Sequence, residues 1–447
     1  MIRRQSPMRG TLVFLLLLAG SAPARGRADD APPAVPPTRA ALKEMLERSK
    51  HSTPRLPLPP PTEAEKAAAE KRGSAAPGLG GIINNGRMRQ LYLEPALAGA
   101  GGLSSREPDP AMTLDNAFKT MCFWLVSRVN NCAYCLGHQE VKLAASGVAE
   151  DAIAALDGDW HEFTPAQRAA FAFTVKLTRE PQAIADADLD ALKAHYTPTQ
   201  ALEILLAVAN FNAINRWTGG LAIPQEDHRD YDTPTAPAFA DLVSRVAPLT
   251  PNANGPAAAP PSKRTPPTPA ETAAALEAAR TRRPRLPLAD ESAARAALPA
   301  DWPEGPLPQW ARLLAVFPKQ GAAKAVAHRA TIEHGVLSPK LRALIDATAA
   351  RHDRAWYALG HARKRLESLG VDADAIESAD APLSKPERAA VVFARALTVD
   401  PARISDADVA VLRDHFSDRE VAELVYRVTE AAFFDRLTEA ANLPLEF

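Results

Sequence analysis

The chain repeats itself, and that constrains its fold more than any composition does. Leu136-Gly137-His138 returns as Leu359-Gly360-His361, Leu143 as Leu366, and Gly147-Val148 as Gly370-Val371, all at one offset. At an offset three residues smaller, Thr178, Pro181, Ile184, Asp186 and Asp188 return as Thr398, Pro401, Ile404, Asp406 and Asp408. His195, Glu203, Arg216 and Thr218 then return as His415, Glu423, Arg436 and Thr438, and Arg55-Leu56-Pro57-Leu58 as Arg285-Leu286-Pro287-Leu288. So many matches in one order mark a tandem duplication, and 447 residues suit two domains with linkers.

Within each copy the apolar period is helical. Leu114, Ala117, Phe118, Met121, Cys122, Leu125 and Val129 recur at three- and four-residue steps, which puts one face on a core. Asn130-Asn131 breaks this helix and is expected to cap the next, which ends at Gly147. Helices are expected over 165–178, 186–195 and 198–217, the last stopped by Gly219-Gly220. Strand-like alternation is scarce, so the expected class is all-α: two antiparallel helical bundles docked as an intramolecular pseudo-dimer.

The N-terminus reads as an export signal. Arg3, Arg4 and Arg9 precede the apolar run 11–18, and Ala22-Pro23-Ala24 offers the small residues of a cleavage site. That run is too short to span a bilayer, and no later segment has the roughly 20 apolar residues spanning requires. The expected division is a signal peptide over 1–24, a Pro-rich leader over 25–37, a first domain over 38–247, a linker over 248–270 carrying eight prolines, and a second domain over 271–447. The mature protein is then expected in the periplasm or secreted, with no membrane association after signal cleavage. With 52 Lys and Arg against 53 Asp and Glu, the chain lacks the basic excess of a nucleic-acid binder.

Two of the three cysteines, Cys132 and Cys135, lie in Asn131-Cys132-Ala133-Tyr134-Cys135-Leu136-Gly137-His138. With Asn131 as cap, both thiols fall in the first turn of a helix, where unpaired N–H groups and the positive dipole end favour thiolate over thiol. The spacing lets a sulfenic acid on one sulfur be trapped as a disulfide by the other. His138 shares the helix face of Cys135 and can relay a proton. Cys122 sits on the apolar face of the preceding helix and reads as a small buried hydrophobe.

These residues, from Leu114 to Gly147, together with Asn212-Ala213-Ile214-Asn215-Arg216, resemble the alkylhydroperoxidase D-like and carboxymuconolactone decarboxylase-like helical proteins. The resemblance covers most of both copies. It implies a peroxide-reducing dithiol site in which Cys135 attacks the peroxide and Cys132 resolves, supported by His138. Its implied partners are a hydroperoxide substrate and a thiol reductant the sequence does not identify; no cofactor and no metal are expected. Family members often form symmetric oligomers, so a homo-oligomer is a further expectation. The pattern also departs from the family. The glutamate twelve residues before the first cysteine is Thr120 here, and the histidine four residues after the second is Gln139. In the second copy Ala355 and Ala358 replace both cysteines and Ala343 stands in the glutamate position, so that copy is expected to serve as scaffold.

Other readings compete. A structural disulfide suits an exported protein, although so small a loop restrains the unfolded chain little. Zinc needs more ligands than cluster here, and covalent haem attachment needs a histidine where Leu136 stands. His361 recurs where no thiol exists, which favours a structural hydrogen bond for His138. A non-catalytic helical scaffold with a decayed site, and a lactone decarboxylase, are the alternatives to a peroxidase.

Overall fold

Helices in the two halves begin with the same chemistry. Thr164 and Gln167 form a reciprocal capping box, and so do their counterparts Ser384 and Glu387; Thr197 with Gln200 and Ser417 with Glu420 do likewise. In each, the hydroxyl accepts from the third backbone N–H and the longer side chain reaches back to the cap N–H, satisfying two otherwise orphaned donors. The computed structural model describes residues 39–72, 82–99, 109–158, 160–226, 265–373 and 381–447. The expected signal peptide and leader, and residues 248–264 of the expected linker, lie outside them. The rest of that linker is shorter than expected, because Pro269 already begins a helix.

The first half comprises α1 (Arg39–Ser49), α2 (Glu63–Arg72), α3 (Asn84–Tyr92), α4 (Pro95–Ala98), α5 (Asn116–Val129), α6 (Ala133–Ala145), α7 (Glu150–Ala155), α8 (Pro165–Arg179), α9 (Asp186–Lys193) and α10 (Pro198–Gly220). The second comprises α11 (Pro269–Arg280), α12 (Glu291–Ala297), α13 (Gln309–Leu314), α14 (Gln320–Glu333), α15 (Pro339–Asp353), α16 (Trp356–Ser368), α17 (Lys385–Val399), α18 (Asp406–Arg413) and α19 (Asp418–Ala440). The described residues contain no strand. No helix among them is long and apolar enough to cross a membrane.

By the sequence repeat, α5, α6, α8, α9 and α10 correspond to α15, α16, α17, α18 and α19. In the first half α5 packs on α6, α8 and α10; in the second, α15 packs on α16, α17 and α19. The seam between halves is α10 against α19. Both are buried almost all round, as a helix central to a core must be. α10 runs through Gly219-Gly220 instead of stopping before them, and at Gly220 the missing side chain lets α19 pass close. A Cβ on Gly220 would lie 3.0 Å from Val425 Cγ1.

Contacts across the seam are reciprocal. Arg216 donates to the Thr398 carbonyl at 2.8 Å, and Arg436 donates to that of Thr178 at 3.0 Å. The recurring Arg-Leu-Pro-Leu segments act as straps. The Arg55 backbone N–H bonds Leu221 O and its guanidinium reaches Gly219 O and Asp406; Arg285 N–H bonds Ala441 O and its guanidinium reaches Ala440 O and Asp186. Each arginine thus satisfies the C-terminal carbonyls of its own long helix while touching the other half.

Candidate functional site

The turn between α5 and α6 builds the thiol site. Asn130 closes α5, Asn131 takes a left-handed conformation at φ 48°, and the Cys132 N–H returns to Ser127 O at 2.9 Å. This corrects the expectation that Asn131 caps α6. A left-handed residue cannot aim its side chain into the next helix, so the cap passes to Cys132, whose sulfur accepts from the Cys135 N–H at 3.4 Å. In the second copy the left-handed residue is Arg354, and Ala355 has no side-chain cap to offer.

A buried amide network holds this turn. Asn130 Nδ2 donates to Asn212 Oδ1 and Asn215 Oδ1, each at 3.1 Å, and Asn215 Nδ2 reaches Ser127 Oγ at 3.4 Å. Thr218, one turn beyond Asn215 on α10, places its hydroxyl oxygen 3.1 Å from Cys132 Sγ and 3.1 Å from Cys135 Sγ. The same hydroxyl lies 3.0 Å from the Ile214 carbonyl, to which it can donate, so with one proton it serves only one of these acceptors at a time.

The two thiols are driven in opposite directions. Burial alone would push Cys132 up, but hydrogen bonds from the Cys135 thiol, Thr218 and the Cys135 N–H outweigh it, so Cys132 ends below the ordinary 9.0. Cys135 is raised well above that value, by burial first and then by its hydrogen bond to Cys132 and the charge there. The sulfurs are free thiols, and Cys132 is the less enclosed of the two. Cys122 is not part of this site. Burial pushes it up to about 12, and its hydrogen-bond partner is Thr174.

His138 is engaged by a partner that sequence reasoning missed. Its Nε2 lies 3.0 Å from Glu226 Oε2, while Glu226 Oε1 accepts from Tyr134 OH at 2.7 Å and from the Asn84 N–H at 2.9 Å. The same group stands in the second copy. Tyr357 OH donates to Glu446 Oε1 at 2.7 Å and His361 Nε2 lies 3.3 Å from Glu446 Oε2. The signal was present, since Tyr134, His138 and Glu226 return as Tyr357, His361 and Glu446 in the repeat register.

The two positions that depart from the resembled pattern are spent on backbone. Thr120 Oγ1 donates to Asn116 O at 2.7 Å, and Gln139 Nε2 donates to Cys135 O at 3.1 Å. Glu140 is buried and accepts from Trp124 Nε1 at 2.6 Å. Among the described residues no three His, Cys, Asp or Glu side chains group as metal ligands would. No family model matches this chain, and no curated protein does either.

Proposed function

We propose that the protein is a dithiol oxidoreductase of the alkylhydroperoxidase D-like type, built as two tandem bundles, exported, and cycling Cys132 and Cys135 between dithiol and disulfide while reducing a hydroperoxide. The observation that carries this reading is the shared contact of both sulfurs, at the start of α6, with the Thr218 hydroxyl of α10. The threonine returns as Thr438, whose hydroxyl donates to Phe434 O as that of Thr218 does to Ile214 O; the contact with two sulfurs belongs to the first copy alone.

The cycle balances as follows. A thiolate attacks the O–O bond, taking one oxygen as sulfenate and releasing the other as alkoxide, which is protonated to alcohol. The second thiol condenses with the sulfenic acid, forming the disulfide and releasing water. An external dithiol reopens the disulfide; outside the cytoplasm the redox poise holds such pairs oxidised, so a dedicated donor is required.

The resemblance assigns attack to Cys135, whereas the lowered Cys132 thiol and its lesser enclosure favour a resting thiolate on Cys132. Thr218 reconciles the two. Its hydroxyl, which rests on the Ile214 carbonyl, turns to give its proton to Cys132 as it takes that of Cys135, which moves the thiolate to Cys135 without a buried base. The test is hydroperoxide consumption by the mature protein driven by dihydrolipoamide, alongside Cys132→Ser and Cys135→Ser. Sulfenate trapped on Cys135 in Cys132→Ser, with activity lost in Cys135→Ser, supports the roles above. Sulfenate only on Cys132 reverses them. No consumption by any form with confirmed free thiols leaves the scaffold reading in its place.

A further inference from the structure

The second copy opens a cavity of about 310 Å³, at the small end of the range of ligand pockets, and its lining marks the matching place in the first copy. Ala358, Phe434 and Asp435 line it, and in the repeat register they are Cys135, Ile214 and Asn215. Those three belong to the thiol site. Asn215 acts on the Cys135 thiol, and the Ile214 carbonyl lies 3.0 Å from the Thr218 hydroxyl that touches both sulfurs. The cavity therefore stands where the first copy has the surroundings of Cys135.

Two more lining residues, Asp346 and Ala431, correspond to Phe123 and Phe211. In the first copy these rings stack with centroids 4.3 Å apart and planes 11° from parallel. Faces so close are in van der Waals contact, and nothing passes between them. Phe211 is 6% exposed, Phe123 is partly buried against the same core, and the helices that carry them, α10 and α5, pack on each other. The pair is thus held in the packing rather than lying loose on the surface. In the second copy the same two positions hold a methyl group and a carboxylate drawn off to Arg365 at 2.8 Å, and the space stays open.

Access to Cys135, which is 1% exposed, is consequently limited by what two phenyl rings leave free. A substrate with a bulky organic substituent has to displace a ring from a close-packed interior, where added volume is costly. Hydrogen peroxide, little larger than water, displaces nothing. On the dithiol reading above, we propose that Phe123 and Phe211 set the size limit of the thiol site, and that the hydroperoxide it takes is hydrogen peroxide, with bulky organic hydroperoxides excluded. The Cys135 thiolate attacks one oxygen, the S–O bond forms as the O–O bond breaks, and the sulfur is oxidised to sulfenic acid. The other oxygen leaves as hydroxide and takes up a proton to become water.

The test has a part that needs no peroxide. In full-length Cys132→Ser, Cys135 is treated with methyl methanethiosulfonate and with its benzyl analogue, and labelling is followed by mass spectrometry. The methyl reagent is expected to react at least about tenfold faster, and Phe211→Ala to remove most of that difference. Phe123→Leu, at the less buried ring, is expected to narrow it as well and keeps the test valid should Phe211→Ala fail to fold. In the second part kcat/KM is compared for hydrogen peroxide and cumene hydroperoxide, with dihydrolipoamide as reductant and both cysteines present. Phe211→Ala is expected to raise the value for cumene hydroperoxide about tenfold and to leave that for hydrogen peroxide little changed. Equal labelling by the two reagents, a labelling ratio unmoved by either substitution, or equal turnover of the two peroxides overturns the size limit. Size-selective labelling without consumption of either peroxide upholds the gate and overturns the peroxidase reading.

Discussion

Asp353 and Arg436 meet at 3.0 Å with side chains 0% and 1% exposed, so a full ion pair is sealed inside the second bundle. The same guanidinium donates across the seam to Thr178 O. Removing one member of a buried pair leaves an uncompensated charge, which generally costs about 3–5 kcal/mol. Arg436→Met is expected to lose about that much in urea unfolding, and Asp353→Asn combined with it to recover a good part. A loss below about 1 kcal/mol for Arg436→Met would show that the pair contributes no more than a surface bridge does.

The three thiols should react in a fixed order. Iodoacetamide added to reduced native protein near neutral pH is expected to label Cys132 first and Cys122 only after unfolding, because thiolate is the reacting form and burial keeps Cys122 protonated. Thr218→Val removes a hydrogen bond to the thiolate and should slow Cys132 labelling about tenfold at pH 7, with the midpoint of its pH–rate profile moving upward. Peptide mapping of the labelled protein reads both effects; equal rates in the two proteins would remove Thr218 from the site.

Glu226 and Glu446 hold equivalent Tyr–His groups at different depths, with side chains 4% and 29% exposed. Glu226→Gln is expected to cost about 1–3 kcal/mol, and Glu446→Gln less, because solvent can replace part of what is lost. Burial works against the Glu446 carboxylate, but His361, the Gln309 N–H and Tyr357 outweigh it, so its value lies below the ordinary 4.5. A carboxyl depressed on folding stabilises the native state above its unfolded value and gives that contribution up as pH falls through the folded one. The melting-temperature gap between wild type and Glu446→Gln should therefore be full near neutrality and close below about pH 4. A gap that persists in acid would place the contribution in packing instead.

The helices with strong apolar periods and capping residues, α5, α6, α8, α9 and α10 with their repeats, were legible in the sequence because local chemistry and core burial agree there. α1 to α4 were not read, since their segments are short and set among prolines and alanines. The cap of α6 was misplaced by one residue because Asn131 is as suited to a left-handed turn as to a cap, and only the returning Cys132 N–H decides between them. The cysteine pair was evident from spacing. The partnership of Thr218 with it was not, because that contact joins residues more than eighty positions apart.

The reciprocal straps also carry a temporal consequence. As the chain leaves the ribosome, the first half emerges with α10 lacking the helix that covers it, with Arg216 lacking the Thr398 carbonyl, and with Arg55 lacking Asp406. Because Thr218, Asn212 and Asn215 lie on that same helix, the thiol pair's surroundings gain their outer support only once α19 has been made. The thiol site is thus braced from outside by a half that contains no cysteine.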